Sequence, residues 1–139
     1  MLRRVVRAQV QDLWPRASGE LGVILVGSAE ITRLNESFLR HAGATDVIAF
    51  SYLERTARNP PRALQGEVFV CVDEALAQAH RYRTTWPVEL VRYVVHGLLH
   101  LRGFRDGTPV ARGRMKREEN RRLRALARTF ALSQVAASR

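Results

Sequence analysis

The stretch from Pro87 to Gly103 constrains the fold of this chain most. It is crowded with apolar residues: Leu90, Val91, Tyr93, Val94, Val95, Leu98, Leu99 and Leu101. A helix this apolar must be covered on most of its sides. Yet Glu89, Arg92, His96, His100 and Gly103 recur at three- and four-residue spacing and draw one polar line along it. The sequence therefore predicts a central helix with a single stripe facing a cleft. Pro87 suits its first turn, and Gly103 suits its end, since glycine takes the left-handed conformation at little steric cost.

His96 and His100 share a face of that helix, and two imidazoles placed this way can grip one divalent ion. A turn at Gly103 lets Asp106 swing toward the same ion. Two nitrogens and one carboxylate with a position left open is the donor set of a catalytic zinc rather than a structural one, so the expectation is one zinc per chain. The competing reading is a pair of core histidines satisfied by neighbours. An interior helix rarely carries two unpaired imidazoles on one stripe, which weighs against it. The pattern departs from the zinc-protease motif at Gly97, where that motif places its glutamate base. A peptidase of the usual kind therefore lacks its base.

The rest of the chain alternates. Arg3 to Trp14 reads as a basic amphipathic helix stopped by Pro15, and Gly22 to Gly27 as a buried strand. Ser28 can cap a helix to Arg40, with Ile31, Leu34, Phe38 and Leu39 inward. Val47 to Tyr52 and Glu67 to Val72 read as strands, separated by a loop from Glu54 to Leu64 that contains Asn59-Pro60-Pro61. Asp73 can cap a helix to Arg83, with Leu76 and Ala79 inward and His80 on its polar side. Thr108-Pro109 opens a last helix that turns Met115, Leu123, Leu126 and Phe130 inward and Arg114, Arg117, Arg121, Arg124 and Arg128 outward. The tail 133–139 is expected to fray. The predicted class is α+β, a small mixed sheet covered by helices, in one domain over 1–139. Trp14 and Trp86 each precede a proline and read as packing residues.

With 139 residues the chain can bury a sizeable core. Cys71 stands alone, so no intramolecular disulfide forms, and in a strand it reads as a small buried hydrophobe. No apolar run is long enough to span a bilayer, and the basic N-terminus lacks the apolar centre of a signal peptide. The expected location is the cytoplasm, with no membrane partner. The formal net charge is +10, and of the 23 basic residues all but Lys116 are arginine. The arginine skew can reflect codon composition, but the excess of base over acid favours a polyanionic partner, RNA above all.

His96-Gly97-Leu98-Leu99-His100-Leu101-Arg102-Gly103-Phe104 resembles the signature of the YbeY family of bacterial endoribonucleases. The resemblance extends to Leu34-Asn35, to Thr45-Asp46-Val47-Ile48-Ala49-Phe50, to Gly66-Glu67-Val68-Phe69-Val70, and to Met115 and Glu119 in the last helix. These blocks run in the family's order from about Leu21 to Leu126. There are departures. Asp106 stands where most members place a third histidine, with Arg105 where an aspartate is common. Leu39 occupies the position of a frequent arginine, with Arg40 beside it, and Ala49 replaces a common serine. The family's N-terminal strand is not evident.

The resemblance implies a metal-dependent endoribonuclease of single-stranded RNA, acting in maturation of the 16S rRNA 3′ end, in ribosome quality control, and on the small ribosomal subunit. It also places Asp46 beside the metal cleft, as a residue orienting water or substrate; the local reading is a turn cap. Glu67 is either solvent-exposed or the partner of a ligand histidine. His41 contacts phosphate, acts as an acid, or is a polar loop residue. Arg40, Arg102, Arg105, Arg117, Arg121 and Arg124 are the candidate RNA-binding cations. An assembly module with structural zinc, or a hydrolase of another substrate, are the alternative readings.

Overall fold

A computed structural model describes residues 1–15, 19–39, 43, 45–52 and 64–135. The elements in chain order are α1 (Leu2–Leu13), β1 (Gly19–Val26), α2 (Ser28–Phe38), β2 (Val47–Ser51), β3 (Leu64–Cys71), α3 (Val72–Tyr82), α4 (Trp86–Arg102) and α5 (Pro109–Thr129), then a 3₁₀ turn at Leu132–Gln134. The three strands form one mixed sheet in the order β1-β3-β2, parallel between β1 and β3 and antiparallel between β2 and β3. The class is α+β.

Alternation along β3 decides what the sheet can do. Leu64, Gly66, Val68 and Val70 are buried on the face that α4 covers. Gly97 lies at a close approach of helix and sheet, because a Cβ there would stand 2.6 Å from Cγ1 of Val68. The residue that denies the chain a protease base thus has a packing reason of its own. The other face carries a smaller core of Ile31, Ile48 and Cys71, with Leu34, Phe50 and Phe69 packed against it. Cys71 is a free thiol, fully buried.

The central helix is as the sequence predicts. α4 packs against α1, α3, α5, β2, β3 and the 3₁₀ turn. Its apolar residues Leu90, Val91, Val94, Val95, Leu98 and Leu99 are each at most 2% exposed. Gly103 ends it at φ 115°, its N–H donating to the carbonyls of Leu99 and His100. The Phe104 N–H donates to Leu99 as well, at 2.9 Å. Thr108 caps α5, its hydroxyl accepting from the Ala111 N–H at 3.1 Å. Trp14 is buried, as a packing residue should be.

Several local expectations differ. β1 and β3 start three residues earlier than read, at Gly19 and Leu64. Phe38, Leu39 and Leu76 face outward, at 67%, 42% and 46% exposure. On α2 the inward position belongs to Asn35, whose side-chain amide donates to the Gly43 carbonyl at 2.9 Å. On α3 the inward row is Ala75 and Ala79, small residues on the side that packs against α4. Ser28 is the first residue of α2 rather than its cap, and its N–H donates to Asp73 at 2.7 Å. Asp73, read as the cap of α3, thereby serves the N-terminus of α2 instead. The chain past Ser133 does not fray at once, since Leu132 and Val135 are buried at 7% and 4%. The loop read from Glu54 lies outside the described residues except for Leu64.

Candidate metal centre and its cleft

α4 and the turn after it build the centre. His96 and His100 project from the polar stripe, and Gly103 reverses the chain so that Asp106 returns beside them. Nε2 of His100 lies 3.0 Å from Nε2 of His96 and 3.3 Å from a carboxylate oxygen of Asp106. That oxygen is 3.8 Å from Nε2 of His96. A tetrahedron with ligand bonds of about 2.0–2.1 Å has edges of about 3.3 Å, so the three separations bracket what a small divalent ion needs. The donor chemistry fits as well, with two imidazole nitrogens and one carboxylate.

His96 is fixed from behind. Its Nδ1 lies 2.6 Å from Oε2 of Glu119, a residue of α5 that is 5% exposed. Glu119 sits one turn from Met115 and one from Leu123 on the buried row of α5, so the same row that holds the helix in place delivers the carboxylate. With the proton on Nδ1 pointing to Glu119, the lone pair of Nε2 is left for the ion. Arg92 completes the support, 3.6 Å from Glu119 and donating to Asn120 at 2.9 Å.

The two imidazoles differ in their affinity for a proton. Burial disfavours the charged form of His96, but the hydrogen bond to Glu119 and the fields of Glu119, Asp46 and Asp106 outweigh it and hold the pKa above the ordinary value. Burial and the charge of His96 push His100 below it. The pair is thus electrostatically uneven, with the proton held more tightly on His96 than on His100.

The centre opens into a cleft of about 650 Å³, whose lining includes Asp46, Glu89, Arg92, Tyr93, His96, Asp106, Arg112, Lys116 and Glu119. Asp46 is thus brought to the cleft, as expected of it. Glu67 is not: it belongs to the sheet face opposite the one under α4, and it accepts a hydrogen bond from the Tyr52 hydroxyl. The carboxylate beside His96 is that of Glu119 and not that of Glu67. His41 and Arg40 lie outside the described residues.

The candidate RNA-binding arginines fall in several places. Arg117, Arg121 and Arg124 are exposed on the outer side of α5, and Arg121 is paired with Glu118. The cations that line the cleft are Arg92, Arg112 and Lys116. Arg102 donates from Nε to the Leu13 carbonyl at 2.8 Å and so ties α4 to the end of α1. Arg105 is exposed beside Asp106.

Fold and site together define a class: a small α+β protein with a carboxylate-supported triad that could hold a metal ion. The chain belongs to the YbeY endoribonuclease family, whose model, described as Endoribonuclease YbeY, matches residues 1–127. Among its relatives is an Endoribonuclease YbeY of Salinibacter ruber, 35% identical over 126 residues, which span 88% of this chain and 80% of the relative. Another Endoribonuclease YbeY, from Elusimicrobium minutum, is 39% identical over 105 residues, covering 74% and 71% of the two chains. The solution structure of TM1509 from Thermotoga maritima has the same fold, with a TM-score of 0.60 at 23% identity over 90% of this chain and 81% of that one. No helix among the described residues is long and apolar enough to cross a membrane.

Proposed function

We propose that this chain is a zinc-dependent endoribonuclease of single-stranded RNA. Its substrate in this reading is ribosomal RNA, at the 3′ end of 16S rRNA during maturation and quality control of the small subunit, in the cytoplasm. Residues 1–139 form one domain. The observation that carries the reading is the convergence of His96, His100 and Asp106 at the mouth of a cleft that also holds arginine and lysine. Membership of an endoribonuclease family supports the choice of RNA.

The ion would be held by His96, His100 and Asp106, and it would supply Lewis acidity toward a phosphoryl oxygen and toward water. By accepting a hydrogen bond from Nδ1–H, Glu119 would leave the Nε2 lone pair of His96 free for the ion. Arg112 and Lys116, one helical turn apart on α5, offer positive charge to the scissile phosphate as it gains charge. Asp46 is a cleft carboxylate that neither belongs to the triad nor bonds to a ligand ring, and in this reading it orients the attacking oxygen. That oxygen belongs to water or to a ribose hydroxyl.

The test is cleavage of a single-stranded RNA by the purified chain, beside a His96→Ala/His100→Ala double variant prepared in parallel. Cleavage by the first and none by the second is expected. Equal cleavage by both identifies a contaminating nuclease and ends the enzyme reading.

A further inference from the structure

A second cavity lies on the other side of the α4–α5 turn. It measures about 780 Å³ and is lined by Asp12, Arg102, Gly103, Phe104, Arg105, Arg114 and Arg122 among others. Four guanidinium groups meet one carboxylate there. That carboxylate is already engaged, because Asp12 accepts from Nη1 of Arg122 at 2.6 Å. Arg122 is itself 8% exposed, and it also donates to Gln9 at 3.1 Å and to Glu118 at 2.9 Å. Asp12 is thus engaged by Arg122, and no carboxylate among the described residues compensates the charge of Arg102, Arg105 and Arg114. Arg102 spends its Nε on the Leu13 carbonyl. Arg105 and Arg114 form no ion pair with another described residue and are exposed to solvent.

The groove and the metal cleft adjoin at the turn after α4, since Arg105 lines one and its neighbour Asp106 the other. Arg105 is the residue before the ligand Asp106, and Arg102 is two residues after the ligand His100. The turn that aims Asp106 into one cavity therefore exposes Arg105 in the other. A flexible polyanion that occupies the metal cleft and continues over the turn meets Arg105 and Arg114 next. Guanidinium forks match phosphate oxygens, and a cavity of this size admits a nucleotide unit.

We infer that this groove is a second backbone subsite for the substrate strand, in which Arg105 and Arg114 bind a phosphodiester one or more nucleotides from the scissile bond. Arg102 and Arg122 also line it, Arg102 tying α4 to α1 and Arg122 tying α5 to α1. The subsite rests on the RNA-cleaving reading for its ligand, but its own evidence is the uncompensated charge beside the turn. It also separates the working cations from the rest. Of the arginines that the sequence offers, Arg105 and Arg114 contact the strand here, whereas the outward row of Arg117, Arg121 and Arg124 lines neither cavity.

The test is fluorescence anisotropy of a labelled single-stranded RNA in the presence of chelator, so that binding is read without cleavage. Arg105→Gln/Arg114→Gln is compared with an Arg3→Gln/Arg7→Gln pair, which removes the same charge from exposed positions at the start of α1. Circular dichroism confirms that both remain folded. The groove pair is expected to lose at least ten-fold in affinity at moderate salt. Its log–log salt slope should shrink by about 1.4, the value for two phosphate contacts on a single strand. The α1 pair should change far less. Equal losses in the two pairs would reduce the effect to net charge and overturn the subsite. Unchanged RNA affinity in the groove pair would overturn it too and would leave the groove to an acidic protein. Metal-loaded wild type is assayed for cleavage alongside. Cleavage with an unaltered groove pair refutes the subsite alone, and a selective binding loss without cleavage refutes the enzyme reading alone.

Discussion

His96 uses both ring nitrogens, and Glu119 determines how. Nδ1 stands 2.6 Å from the Glu119 carboxylate while Nε2 stands 3.0 Å from Nε2 of His100. The two residues are separated by 23 positions and belong to different helices. The position of α5 on the core and the readiness of the metal centre are therefore coupled, and Glu119→Gln should separate them. Glutamine preserves size and can accept the same hydrogen bond through its amide oxygen, but it removes the charge. Zinc affinity measured by competition with a chelator should fall about 10–100-fold, the usual consequence of losing such a partner. The unfolding midpoint should move little. An unchanged zinc affinity would show that the His96–Glu119 contact serves packing only.

Gly97 answers to the sheet rather than to the chemistry. In a free helix Gly97→Ala would gain about 1 kcal/mol in propensity. Here the new methyl would meet Val68 Cγ1 at 2.6 Å and Val47 Cγ2 at 3.2 Å. Overpacking of this kind costs about 1–3 kcal/mol. Urea unfolding should show a net loss for Gly97→Ala, with partial recovery when Val68→Ala is added. A more stable Gly97→Ala protein would mean that helix and sheet separate easily and that the close approach is not required.

Much of this could be read along the chain because it is local. The spacing of His96 and His100, the turn at Gly103 and the cap at Thr108 all depend on residues within a turn or two of each other. What escaped depends on register or on distant partners. Glu67 is one strand position from Val68, so its face is set only by pairing with β1 and β2. Leu76 is more apolar than Ala75, yet the side of α3 that packs against α4 is its row of small residues. Glu119 falls on the apolar period of α5 together with Met115 and Leu123. That placement was the available sign, because a carboxylate on a buried row needs a partner. Nothing nearby in sequence names that partner as His96.

Tyr93 gives the fold an alkaline weakness. Burial, followed by the fields of Glu89, Asp46 and Glu74, keeps its phenol protonated far above the usual range. The unfolded chain releases that proton near pH ~10. Above this pH the unfolded state binds fewer protons than the folded one, so stability must fall as pH rises. In the unfolded chain the other side chains that titrate there are those of Cys71, Tyr52, Tyr82 and Lys116, since the remaining basic residues are arginine. Urea midpoints recorded between pH 8 and 11 should decline, and Tyr93→Phe should flatten the decline above pH ~10. The same steepness in both proteins would show that Tyr93 ionises freely when folded.

If one ion held by His96, His100 and Asp106 cleaves the RNA, zinc added to the metal-free chain should restore the activity. Bound metal and cleavage of a single-stranded RNA, followed in the same titration, should rise together and level at one equivalent per chain. Asp106→Ala should bind the equivalent weakly and cleave in proportion to what it binds. Cleavage that is full before any metal is added, or an Asp106→Ala protein that titrates like the wild type, would contradict that role of the ion.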